Sequence, residues 1–475
     1  MGEPLSLEPL FPDRSTGEAL AVQLARRLRE AIERGTLPAG TRMLGTRQLA
    51  KQLGLGRNTV ALAFEELTAQ GYFETRTGAG TFVAASLAPQ RAHRSVSIAT
   101  QPTRARDMAS LRSYFDLAAG TGPLRPGMPD LTLFPAHAWS GAARRAVDAY
   151  DGDLGYGPSN GLRSLREAIA IHVGQFRGVT AAPEQIVVVE GAQAAMHLAA
   201  LVLSSPRDGV AIEDPCYALA RSAFEAYGLT LRPVPVDRDG LIVDELPKDV
   251  KFAFVTPTHQ FPLGGTLPLS RRLALLSWAN RSDAYVLEDD YDSEFTSKHR
   301  PLPALQSLDR DERVIYIGSF SKTLAPAVRL GYLIAPPHLA EAFRAARAST
   351  SLGASIHVQA TAASFIADGH FARHIRRMNA VYDRRRAILL RVLRPLARAS
   401  FDVGPADMGL HVALVAKTHF DDAAHSSAIE GQRLVALSRL CIARQDCRGF
   451  VLGFTNGSDG GIENAARALA TYLTA

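Results

Sequence analysis

"VIYIGSFSKTLAPAVRLGY" runs from Val314 to Tyr332. Its first four residues are apolar, a short run of the kind that forms a buried strand of a parallel sheet. Lys322 follows among small hydroxyl residues, and Arg329 comes seven positions later. Lys and Arg are seldom fully buried unless something pairs them. Two cations just beyond a core strand therefore ask for a partner.

The flanking sequence repeats the arrangement. "IVVVEGAQAAMHLAALVL" (186–203) reads as strand, small-residue turn and helix. "GVAIEDPCYALA" (209–220) ends its strand at Asp214 and Pro215, with Tyr217 at the mouth. "FAFVTPTHQFPLGG" (252–265) and "AYVLEDDYDSEF" (284–295) are further strands that end in polar groups. Strands alternating with helical patterns from about Phe115 predict an α/β domain with a mostly parallel sheet. Open parallel sheets bind ligands beyond their carboxyl ends, and every polar group above lies there.

The set narrows the ligand. Helix N–H groups at Gly191–Ala192–Gln193, hydroxyls and an Arg suit a phosphate. A carboxylate suits a protonated ring nitrogen, and a Tyr offers a stacking face. A buried Lys amine suits an aldehyde. Pyridoxal 5'-phosphate has all four needs. Taken singly the signals are weak: a lone Lys after a strand is usually a surface residue, and paired acids at a strand end more often bind metal or cap a helix. No Walker A or G-x-G-x-x-G occurs at a strand–helix junction, so a nucleotide site is disfavoured, and no metal centre is predicted.

Nearer the start, "STGEALAVQLARRLREAIERG" (15–35) places Leu20, Leu24, Leu28 and Ile32 on one helix face, with Ser15 or Thr16 as cap and Gly35 as terminator. Leu49, Ala50 and Leu53 suit a second short helix, then "GLG" turns the chain. Val60, Ala63, Phe64 and Leu67 bury a third helix, whose first turn, Arg57–Asn58–Thr59, points outward. "YFETRTGAGTFV" (72–83) is a hairpin with a Gly-rich tip. This order predicts a winged helix-turn-helix with its last helix on base edges. Arg42, Arg47, Lys51 and Arg57 occur without an acid between Arg42 and Phe64, which suits phosphates. A solvated basic face is the plainer reading of such charge; the ordered helices, turn and wing argue for DNA.

Composition bounds the rest. A chain of 475 residues exceeds one core. The apolar share is 47% and the net charge +6. The start lacks a secretory pattern, the longest apolar stretch is too short for a bilayer, and three cysteines make no metal or disulfide framework. A cytoplasmic, nucleoid-associated protein is expected. Residues 86–113, rich in Ser, Ala, Pro, Gln and Arg, read as a flexible basic linker between residues 1–85 and 114–475.

The first 85 residues resemble the GntR class of winged-helix repressors. They depart from its pattern at Gly45 and at Gly56, where a Ser cap is usual. The resemblance implies that Arg47, Arg57, Asn58, Thr59, Thr77 and Gly78 face DNA. Residues from about 115 to 475 look like a fold-type I aminotransferase domain with a smaller C-terminal α+β subdomain. The whole chain resembles the MocR-type regulators, which fuse the two. The motifs that carry the likeness are "GMPDLTLFP" (127–135), "YGPSNGLRSLREAIA" (156–170) and those quoted above. By that likeness Lys322 forms the Schiff base with pyridoxal phosphate and Asp289 partners its ring nitrogen. Tyr291 meets its phenolic oxygen and Tyr217 lies by the ring. Ala192, Gln193, Ser319, Ser321 and Arg329 hold its phosphate. The roles of His259 and Gln260 stay open. A homodimer is implied, bound to operator DNA and responding through an aldimine to an amine, an amino acid or pyridoxal phosphate. A working aminotransferase that also binds DNA is the alternative. Against it, the strand that usually carries the substrate-carboxylate Arg reads "CRGFVLGFTNGS" (447–458), leaving only Arg444 or Arg448 nearby.

Overall fold

The computed structural model describes residues 10–13, 15–85, 102–118, 120–148, 155–296 and 302–474. The chain divides into two compact units, Met1–Gln101 and Pro102–Ala475.

In the first unit, helices Leu20–Glu33, Thr46–Leu53 and Arg57–Ala69 precede strands β1 (Phe73–Arg76) and β2 (Gly80–Val83). The predicted apolar positions Leu24, Leu28, Ile32, Leu49, Leu53, Val60, Phe64 and Leu67 form one core. Gly54, left-handed at φ 64°, ends the second helix. Gly56 caps the third. The expected cap of the first helix is displaced. Ala19 occupies that position, and no side chain caps it. Gln23 is buried instead and donates to Thr16 Oγ1 (2.9 Å), Asp13 O (2.9 Å) and Glu18 O (2.9 Å). Thr16 thus closes the turn through a side chain of the helix rather than through its backbone.

Residues 86–101 of the expected linker lie outside the described residues. From Pro102 onward the expectation gives way to helices Thr103–Ser110 and Arg112–Ala118. The first of these buries no residue. Its apolar residues, Ala105, Met108 and Ala109, span little more than one turn, too short for a period to stand out.

The second unit is built on an eight-stranded sheet in the order β3, β10, β9, β8, β7, β4, β5, β6. The strands are β3 (Ile186–Val189), β4 (Gly209–Asp214), β5 (Thr230–Asp237), β6 (Gly240–Leu241), β7 (Val250–Val255), β8 (Tyr285–Asp290), β9 (Val314–Ser319) and β10 (Gly331–Ile334). Neighbours from β9 to β5 run parallel. β10 is antiparallel to both β3 and β9, and β6 to β5. Alternate residues serve opposite faces. Val187, Ile212, Phe254, Leu287 and Ile317 pack in one core cluster, and Ile186, Val188, Tyr316 and Ile334 in another. A smaller antiparallel sheet, β11 (Phe401–Val403), β12 (His411–Ala416), β14 (Gly449–Gly453) and β13 (Val435–Ala436) in that order, follows the long helix His370–Ala399. It is the expected C-terminal α+β subdomain. Phe450 and Leu452 of β14 join the core of Ile186 and Val188. Among the described residues no helix is long and apolar enough to cross a membrane.

Candidate functional site

The quoted stretch folds as β9, one helical turn (Phe320–Thr323), and β10 returning antiparallel beside it. Lys322 sits in that turn. Its Nζ donates to the Gly127 carbonyl at 2.6 Å. Lys322 is half-buried, and burial lowers its pKa, while the charges of Asp292 and Asp289 oppose this.

The three aspartates after "YVLE" have different surroundings. Asp290 accepts from Arg177 Nε (2.7 Å) and from the Tyr316 hydroxyl (2.6 Å). Asp292 meets His259 Nδ1 (3.0 Å) and the Leu410 amide (3.1 Å). Asp289 Oδ1 is buried and has no partner. Burial, reinforced by the Asp290 charge, pushes the Asp289 pKa up to about 8. Its charge also bears on Tyr217, whose phenol burial pushes well up. Tyr217 packs edge-on against Phe261 at 5.8 Å, and Phe261 in turn against Tyr291 at 6.2 Å.

Tyr291 stacks on His259 with ring centroids 6.0 Å apart, and its hydroxyl donates to the His259 carbonyl at 3.0 Å. His259 Nε2 is buried and unpartnered. His411 lies against the same ring at 4.6 Å. Ligand atoms of His259, Asp292 and His411 fall within 4.8 Å of one another. Sequence reading placed His259 without a role and did not find His411, which comes from β12, over 140 positions later.

Gly191 caps the helix Ala192–Leu203 at φ 105°. A Cβ placed on Gly191 would lie 3.9 Å from both Arg329 Nη1 and Ser321 Oγ. The turn, the hydroxyl and the guanidinium therefore face one small space at a helix N-terminus. Arg329 takes a left-handed φ of 50°, sparsely populated for a side-chain-bearing residue. Ser319 caps the turn that carries Lys322, accepting from the Ser321 amide at 3.2 Å. The Gln193 side-chain amide donates to Leu219 O at 2.9 Å.

Arg444 and Arg448 do not enter the cleft. Arg444 pairs with Asp446 at 2.7 Å and donates to Val236 O at 3.1 Å. Arg448 turns to Asp422, 3.9 Å away. β14 itself is buried and apolar throughout.

In the first unit, Arg47, Arg57, Asn58, Thr77 and Gly78 are exposed and Thr59 is half-exposed. Arg57, Asn58 and Thr59 form the first turn of their helix, and Thr77 and Gly78 the hairpin tip.

Comparison with known proteins meets this geometry. The gntR family of bacterial regulatory proteins matches residues 20–83, and the class I and II aminotransferases match residues 128–436. A probable rhizopine catabolism regulatory protein, MocR, of Rhizobium meliloti is 36% identical over 94% of this chain and 92% of its own. The chain belongs to the MocR-type regulators. The pyridoxine biosynthesis transcriptional regulator PdxR of Corynebacterium glutamicum is 33% identical over 95% of this chain and 94% of its own. Among solved structures, kynurenine aminotransferase of Pyrococcus horikoshii is similar at a TM-score of 0.69 and 25% identity, covering 81% of this chain and 97% of that one. The α-aminoadipate aminotransferase LysN of Thermus thermophilus is similar at 0.68 and 25%, covering 79% and 95%. The MocR-type chain thus joins a GntR winged helix to an aminotransferase fold.

Proposed function

We propose that this regulator binds pyridoxal 5'-phosphate in the cleft beyond β9 and uses it to sense an amine or amino acid, or the cofactor itself, while its winged helix holds operator DNA. The observation that carries the reading is that Lys322 and the unpartnered carboxyl of Asp289 lie close enough to influence each other's charge. The cleft fits the group in three independent ways. Asp289 Oδ1 lacks a partner that a ring N–H would supply. The space between Gly191, Ser321 and Arg329 offers backbone donors, a hydroxyl and a cation to a phosphate. Lys322 is disposed by burial toward the neutral amine.

When bound, the cofactor supplies an aldehyde that condenses with primary amines. The chain does the rest. Lys322 provides the resident amine, with Gly127 O accepting a hydrogen bond from it. Asp289 holds charge or proton at the ring nitrogen. Tyr291, oriented by His259, meets the phenolic oxygen, and the His259–Asp292 bond fixes that imidazole. Tyr217 covers one ring face. Ala192, Gln193, Ser319, Ser321 and Arg329 hold the phosphate, Ala192 and Gln193 through their amides.

Asn58 and Thr59 read the major groove, with Arg47 and Arg57 on phosphate and Thr77 and Gly78 on the backbone beside the wing. The protein acts as a cytoplasmic homodimer, which raises operator affinity through effective concentration.

Purified protein is expected to show a visible band, and borohydride is expected to fix the cofactor on the peptide bearing Lys322. Lys322→Ala is expected to lose both. A reducible adduct persisting in that variant on another residue refutes the assignment. An aminotransferase reading draws on the same intact set, but the engagement of Arg444 and Arg448 elsewhere weighs against it. Sustained keto-acid formation, with operator affinity indifferent to every amine tried, would establish it instead.

A further inference from the structure

We infer that Arg125 is the effector-specificity residue of the cleft, binding a carboxylate carried by the amine that Lys322 meets. The inference rests on the cofactor reading above and adds a class of effector: primary amines that also bear a carboxylate.

Arg125 lies two residues before Gly127, the residue whose carbonyl holds Lys322 Nζ at 2.6 Å. The strap that carries both is pinned along its length. Asn456 Nδ2 donates to Gly122 O (2.9 Å), the Gly453 amide to Leu124 O (2.9 Å) and Thr455 Oγ1 to Met128 O (2.5 Å). Asp130, at its end, is paired with Arg385 at 2.9 Å. At Gly453 the fit is so close that a Cβ would lie 2.2 Å from the Arg125 carbonyl oxygen. The backbone of Arg125 is therefore fixed against β14 and beside the Lys322 anchor.

Its side chain is half-buried and makes no hydrogen bond or ion pair with any described residue. This sets it apart from Arg177, Arg272, Arg347 and Arg385, each engaged by a carboxylate or carbonyl. Its charge nevertheless reaches Lys322, where it disfavours the ammonium form. An unpaired guanidinium on a strap held beside Lys322 is free to offer its planar fork to a carboxylate. β14, against which the strap lies, contributes only buried apolar residues and glycines. The phosphate space is assembled from other elements, so Arg125 is left over from cofactor binding.

The test uses full-length, cofactor-loaded protein. Straight-chain amino acids with a terminal amine, from glycine to 6-aminohexanoate, are titrated against alkylamines of equal length, with the visible band as readout. Wild type is expected to favour at least one carboxylated amine by about 10- to 100-fold over its alkyl counterpart, the range for a charged hydrogen-bonded pair. Arg125→Gln is expected to bring that ratio near one, and Arg125→Lys to retain part of it. A wild-type ratio near one, or a ratio undiminished in Arg125→Gln, overturns the role of Arg125 while leaving the cofactor reading intact. Absence of any visible band in wild type overturns the cofactor reading, and this inference with it.

Discussion

Asp290 has two close donors in Arg177 and Tyr316, whereas Asp289 Oδ1 has none. They are neighbours on one strand, so the pleat sends them to opposite faces. An unpaired buried carboxylate keeps its proton, hence the rise to about 8 at Asp289. The linkage has a definite sign. In the unfolded chain Asp289 loses its proton near the ordinary value of 3.8. Between that value and about 8 the folded, cofactor-free chain binds more protons, so rising pH favours unfolding. Asp289→Asn removes this contribution. The variant is expected to match wild type near pH 4, gain on it steadily to pH 8, and hold a constant advantage above. Urea midpoints of the cofactor-free proteins check this, and a pH-independent difference contradicts it. That acids close this strand was legible in the sequence, from their place after an apolar run. Which of Asp289, Asp290 and Asp292 remains unpaired was not, because Arg177 and Leu410 are more than 110 positions away. Gly127 and Arg125 escaped for the same reason: a contact across 195 positions leaves no local period.

The helix Arg163–Arg177 is joined to the sheet by more than its apolar face. Arg177 reaches Asp290 of β8, and Asp290 accepts in turn from Tyr316 of β9. Arg177 also donates to Thr258 Oγ1 at 2.7 Å. Burial works against the guanidinium charge, and the Asp290 charge outweighs it, so the Arg177 pKa rises. Removing one partner strands the other. Arg177→Met is expected to destabilise the large unit by about 3–5 kcal/mol, whereas Arg177→Met with Asp290→Asn recovers part of the loss. Denaturant midpoints of the two variants decide it; equal losses would mean that packing rather than charge holds the helix. In the first unit, Arg57 opens its helix with an exposed side chain. If it contacts phosphate, Arg57→Ala is expected to lower the log–log salt slope of operator binding by about one. A slope unchanged, with specificity relaxed at one base pair, would assign it to a base edge instead. Helices with an apolar stripe, such as Leu20–Glu33 and Arg57–Ala69, were legible from i+4 spacing. Thr103–Ser110 buries no residue and carries its apolar residues over little more than one turn, so its sequence does not stand apart from linker.

At the scale of the whole molecule, a sensor differs from an enzyme in what its two units share. An effector shifts operator binding only through unequal affinity for the DNA-bound and free forms. Amines can therefore enter the cleft without regulating anything, and occupancy alone identifies no effector. Coupling between two binding equilibria is reciprocal by thermodynamic necessity. If an effector changes the operator Kd by some factor, saturating operator must change the effector Kd by that same factor. Typical couplings of about 1–3 kcal/mol correspond to roughly 5- to 150-fold, well within reach of a titration. The expected experiment has two arms on one preparation. Operator affinity is measured with and without each carboxylated amine, and the visible-band midpoint of that amine is measured with and without operator. Equal, non-unit factors in both arms establish that cleft and winged helix form one switch. A factor of one in both, for every amine that alters the band, would leave the large unit a binding or catalytic domain that shares a chain with a DNA module but does not govern it.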